Sequence, residues 1–139
     1  MRRLALILSV MAAILVVAAG VAVAASVLGT KKADTLHGTS DQDIIVGAQG
    51  ADTIDGRNEA DELYGDSGGD NISGAQGDDY LEGGRGSDTL KGEAGNDYIN
   101  AVDGIAGNDT VNGGDGTDTC VFDAGDTVTN CETVFPVPV

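Results

Sequence analysis

A nine-residue period constrains this chain more than any other feature. Asp-x-apolar triplets begin at Asp34, Asp43, Asp52, Asp61, Asp70, Asp79, Asp88 and Asp97, nine residues apart at every step. After the three extra residues Ala101-Val102-Asp103 the register resumes at Asp109 and Asp118. A Gly stands five residues before each of these ten Asp residues, from Gly29 and Gly38 to Gly104 and Gly113. Two residues after each lies an apolar position, occupied by Leu36, Ile45, Ile54, Leu63, Ile72, Leu81, Leu90, Ile99, Val111 and Cys120. Periods of this kind belong to stacked repeat architectures, in which no unit buries its apolar side chain alone.

Composition sharpens the problem. Residues 1–28 hold 23 of the apolar side chains, which leaves roughly 31% apolar content over the other 111 residues, below the usual ~45–50%. The formal charge is −16, with no Trp, two Phe and three Tyr in 139 residues. That charge repels phosphate backbones, so nucleic acid is excluded as a partner. An acidic chain with so little to bury is either disordered or held together by cations.

Met1-Arg2-Arg3 followed by an apolar run and Ala22-Val23-Ala24 reads as a secretory signal over residues 1–24, cleaved after Ala24 or Ala25. An uncleaved anchor is the other reading, because the run is nearly long enough to span a bilayer. Losing Arg2 and Arg3 takes the charge from −16 to −18. The expected localisation is secreted or extracellular, with no membrane contact once the signal is removed. In that oxidising setting Cys120 and Cys131, the only cysteines, can form a disulfide, two free thiols being the alternative.

The unit reads G-x-x-(G)-x-D-x-U-x, with U apolar. Its fourth position is Gly at Gly50, Gly68, Gly77, Gly86, Gly95, Gly107 and Gly116. Over residues 29–121 it resembles the calcium-binding RTX, or haemolysin-type, nonapeptide repeat family. The resemblance implies an all-β parallel β-roll of about ten repeats, two per coil turn, giving about five turns. It also implies ions between the turn loops of repeats two apart. Asp52, Asp70 and Asp88 would then form one ladder, and Asp61, Asp79 and Asp97 the opposite one. The residue chemistry agrees: Gly at positions one and four is expected to allow positive φ, so that carbonyls converge beside the Asp. Carbonyl and carboxylate oxygens without a soft donor suit Ca²⁺, whereas His37, the sole His, leaves little for Zn²⁺. The expected metal ligands are Asp52, Asp61, Asp70, Asp79, Asp88, Asp97, Asp109 and Asp118, with the position-four glycines named above. About eight ions, one per neighbouring pair, would bring −18 to about −2. Folding is expected to be coupled to their binding.

Position four is Lys32, Asp41 and Glu59 in the first, second and fourth repeats, so the first two repeats read as a fraying or capping end. The insertion before Gly104 is expected to bulge one turn and weaken the pairing of Asp88 with Asp109 and of Asp97 with Asp118. After Val121 the period is lost, and residues 122–139 read as a disulfide-linked cap and an extended tail.

No catalytic constellation stands out. Gly65-Asp66-Ser67-Gly68-Gly69 matches the surroundings of a protease serine, but it falls in frame as positions one to five of a repeat. There is no H-E-x-x-H. Asn71-Ile72-Ser73 and Asn108-Asp109-Thr110 match glycan acceptors, yet both follow from the repeat. The expected function is a secreted, non-enzymatic calcium-binding protein. The alternative is a calcium-stabilised adhesion or interaction module with a protein or glycan partner unknown. It would use the Thr35/Thr53/Asn71/Thr89/Thr110 face or the Ile44/Glu62/Tyr80/Tyr98/Thr119 face with Tyr64 nearby.

Overall fold

The computed structural model describes residues 25–138; the signal expected over residues 1–24 lies outside them. Among the described residues there is no helix long and apolar enough to cross a membrane. Two parallel sheets face one another, with strands numbered in chain order. The first holds β1 (Ala25–Leu28), β3 (Asp43–Val46), β5 (Glu62–Tyr64), β7 (Tyr80–Glu82), β9 (Tyr98–Ala101), β11 (Thr119–Asp123) and β13 (Thr133–Val137). The second holds β2 (Thr35–His37), β4 (Thr53–Asn58), β6 (Asn71–Gln76), β8 (Thr89–Ala94), β10 (Thr110–Asp115) and β12 (Thr127–Thr129). Successive strands alternate between sheets, so two repeats make one coil. The parallel β-roll expected from the repeat is the fold, with about six turns rather than five.

Register explains the period. Leu63 pairs with Leu81 and Leu81 with Ile99 on one sheet, while Ile54 pairs with Ile72 and Ile72 with Leu90 on the other. Every apolar position thus stacks on a copy of itself, and both rows point inward. Nine of the ten are at most 1% exposed, and Leu36 packs against them from the end. The core is one side chain deep on each sheet, which no strand of three to six residues could close alone.

Three features depart from expectation. Strands β4, β6, β8 and β10 each run six residues, through x-U-x into the next turn, rather than three. The insertion does not weaken the stack: Thr110 still pairs with Thr89 and Thr119 with Tyr98. Ala101, the first of the extra residues, is buried at the end of β9 and pairs with Phe122; the chain leaves the coil from Val102, so the strands on either side keep their partners. Lastly, the chain after Val121 adds strands to both sheets, as far as Val137. Thr127 pairs with Thr110 and Val134 with Cys120, and Val128 and Cys131 pack on the core. Cys120 and Cys131 are disulfide-bonded, with Cα atoms 6.1 Å apart.

Candidate metal sites on the carboxylate ladders

The Asp that closes each turn is buried, and its two oxygens have different surroundings. Oδ1 accepts the backbone N–H of the Asp one coil earlier. Asp52, Asp70, Asp88 and Asp109 take the N–H groups of Asp34, Asp52, Asp70 and Asp88 at 2.7–2.8 Å. On the opposite edge Asp61, Asp79, Asp97 and Asp118 take those of Asp43, Asp61, Asp79 and Asp97 at 2.7–2.8 Å. The structure therefore brings all eight expected carboxylates into two columns, and the bonds across the insertion are as short as the rest.

Oδ2 has no partner in any of these eight residues, although each is at most 3% exposed. An ionised oxygen buried without a donor is costly unless a proton or cation reaches it. No Lys or Arg does so: among the described residues the one ion pair joins His37 Nδ1 to Asp55 at 3.4 Å. Burial first, then the neighbouring carboxylates, outweigh the backbone donors and push Asp61, Asp70, Asp79 and Asp97 up to about 6. The same causes push Asp109 up to about 7. Asp88 and Asp118 are raised too, burial leading in both.

The two N-terminal rungs solve the problem locally. Asp34 Oδ2 accepts the N–H and hydroxyl of Thr30 at 2.6 and 2.8 Å. Asp43 Oδ2 accepts those of Thr39 at 2.5 and 3.1 Å. Thr at position two thus satisfies the carboxylate in the first two repeats, and later repeats carry Ala, Arg, Asp, Glu, Ile or Gly there.

The glycines act differently from expectation at position one. Positive φ falls at positions two and four, and at position one only at Gly104, beside the insertion, with φ +85°. A Cβ added at Gly47, Gly56, Gly65, Gly83 or Gly113 would meet the Asp Oδ2 of its own turn at 2.5–2.6 Å. Position one is glycine because the carboxylate fills that space. Position four has φ between +125° and +157° at Gly50, Gly68, Gly77, Gly86, Gly95 and Gly116. There a Cβ at Gly68, Gly86, Gly95 or Gly116 would overlap the carbonyl of the position-four glycine one coil earlier. Gly107 departs from the set, with φ +72° beside the insertion. Position two is left-handed even where it carries a side chain, as at Ala48, Arg57, Asp66, Ala75 and Glu93, which no composition signal marks.

The turn carbonyls at positions two and three mostly accept N–H groups from neighbouring coils, as Ala48 does from Ser67 and Ser67 from Gly50. Those of Gly50, Gly68 and Gly77 are not used by the main-chain ladder. No group of three or more His, Cys, Asp or Glu side chains that could hold a metal is gathered among the described residues. Side chains offer one carboxylate per rung, so main-chain oxygens must supply the remaining ligands. The donor set is hard, anionic and oxygen-only, which fits Ca²⁺.

Two rungs were missed because their spacing breaks the period. Asp126 Oδ1 accepts the Asp109 N–H at 3.2 Å, and Glu132 Oε2 accepts that of Asp118 at 2.7 Å. Asp126-Thr127-Val128 is itself an Asp-x-apolar triplet, eight residues after Asp118, and that was the available signal. The Gly65–Gly69 turn places Ser67 on an open groove of about 710 Å³ that no histidine lines. Outside the roll, Tyr80 and Tyr98 stack 5.5 Å apart, and Tyr80 donates to Glu82 at 2.7 Å.

Two parallel sheets carrying opposed columns of buried carboxylates define an acidic parallel β-solenoid. The model of the RTX calcium-binding nonapeptide repeat (4 copies) matches residues 28–63, 73–105 and 99–128, and the chain belongs to that family. Such repeats bind calcium ions, several to an array. No curated protein and no solved structure gives a significant match to the chain.

Proposed function

We propose that this is a secreted calcium-binding protein whose roll folds as its turns take up Ca²⁺, and that it has no catalytic role. In this reading residues 1–24 are a signal, residues 25–121 the calcium-binding roll and residues 122–139 its disulfide-linked end. The ligands are Asp52, Asp61, Asp70, Asp79, Asp88, Asp97, Asp109 and Asp118, with carbonyls of the position-four glycines. RTX repeat proteins are typically extracellular and their repeat arrays generally non-catalytic, which supports both points. Extracellular free calcium is high enough to fill sites that cytosolic levels leave empty.

One observation carries the reading: eight buried carboxylates, each with an oxygen that no donor reaches. A divalent ion relieves desolvation and mutual repulsion together, so binding and ordering become one equilibrium. Circular dichroism and calorimetry of residues 25–139, titrated with Ca²⁺ and separately with Mg²⁺, test it. Strand signal should appear with calcium alone, because Mg²⁺ demands tighter octahedral geometry and gives up its water reluctantly. Full strand signal in chelator would sink the coupling.

A further inference from the structure

The insertion is anchored by a carboxylate that belongs to neither ladder. Asp123, at the end of β11, is fully buried at 0% exposure. Its Oδ2 accepts the N–H groups of Asp103 and Gly104 at 2.9 and 2.6 Å, and its Oδ1 has no partner. Asp103 Oδ1 accepts from the Ile105 N–H at 2.8 Å, and its Oδ2 from the Asn108 amide at 3.0 Å and the Gly86 N–H at 3.3 Å. Asn108 Oδ1 is a second buried oxygen without a donor. Asp126 braces the cluster, taking the Asp123 N–H at 2.9 Å through Oδ2 and the Asn108 N–H at 3.1 Å through Oδ1.

A carboxylate oxygen buried without a donor, as Asp123 Oδ1 is, costs free energy unless something positive reaches it. Here no Lys or Arg pairs with Asp103, Asp123 or Asp126 among the described residues. The free donor atoms are a carboxylate oxygen and an amide oxygen, with Asp103 alongside, and no soft ligand is present. That chemistry selects a hard divalent cation that tolerates irregular geometry. We propose that Asp103, Asp123 and Asn108 form a calcium site of their own, outside both ladders, which fastens the insertion to the C-terminal rungs. Asp103 is the third residue of the insertion that breaks the nine-residue period, so the added residues supply a ligand as well as a bulge. The proposal rests on the calcium-binding reading above.

The test uses the full chain, stripped of metal and refilled with Ca²⁺ alone. Bound calcium is counted by metal analysis and calorimetry, and amide exchange is followed over residues 101–108. Asp103→Asn should lower the count by one ion per chain, leave the strand signal unchanged, and speed exchange in that segment about tenfold or more. Asp103→Ala serves as the second variant and should do the same. An unchanged ion count with unchanged protection overturns this site while leaving the ladders standing. If wild type takes up no calcium at all, the ladder reading falls, and this site with it.

Discussion

Once calcium has been removed, lowering the pH should order this protein rather than unfold it further. Asp79 is 3% exposed and is pushed from 3.8 to about 6. A group whose pKa is raised on folding binds its proton more tightly in the folded state. Its destabilising contribution is therefore fully present above about pH 6 and fades as pH falls toward the unfolded value near 4. At ~1.36 kcal/mol per pKa unit, one such rung costs about 3 kcal/mol at neutral pH, roughly 150-fold in the folding equilibrium. Rungs in one column titrate together, so the contributions do not simply add. The assay is strand circular dichroism of calcium-stripped residues 25–139 between pH 7.5 and 4.5. Signal should grow on acidification, most steeply through pH 7 to 5. With calcium present the dependence reverses, since protons compete for the same oxygens and the calcium midpoint rises as pH falls below about 7. A stripped protein that loses structure on acidification, or ignores pH, would refute the view that ionised ladder oxygens oppose folding.

Four further outcomes are expected. Asp79→Ala, in mid-column, should raise the calcium needed for folding at least tenfold more than Asp34→Ala, whose carboxylate Thr30 already satisfies; equal midpoints undo the ladder assignment. Gly77→Ala, at φ +141° with the Glu59 carbonyl in the way, should destabilise the calcium-loaded roll by about 3 kcal/mol or more. Ala75→Gly at φ +78° should instead fall within ~1 kcal/mol on the stabilising side, read by thermal melts in calcium. Cys131→Ser opens an 11-residue loop and should cost about 2–3 kcal/mol, with amide exchange rising at β12 and β13 while β5 to β8 stay protected.

Much of the roll was legible because its determinants repeat. A single displaced side chain would break a column, so Asp and U positions show at fixed intervals, and both columns and the inward rows follow from counting. What was not legible depends on atoms that the period does not encode. Glycine at position one looks like a turn residue, yet Gly65 is fixed by the Asp70 carboxylate lying where a Cβ would sit. Left-handed Arg57 and Glu93 carry ordinary side chains, so nothing in their identity marks the turn. The insertion was expected to loosen the columns, but register is set between strands, and slack between them is absorbed outside. Asp126 and Glu132 rejoin the columns at shortened spacings because the disulfide and a tighter turn replace the missing glycines.

The hydrogen bonds along each column all run one way: an amide gives, and the acceptor comes from further down the chain. A chain that emerges N-terminus first, as during synthesis, therefore always presents an amide whose acceptor has not yet emerged. The rod cannot be finished from its leading end. Only when Asp126 and Glu132 are out do both columns terminate, which makes the final stretch of chain the latch for everything before it.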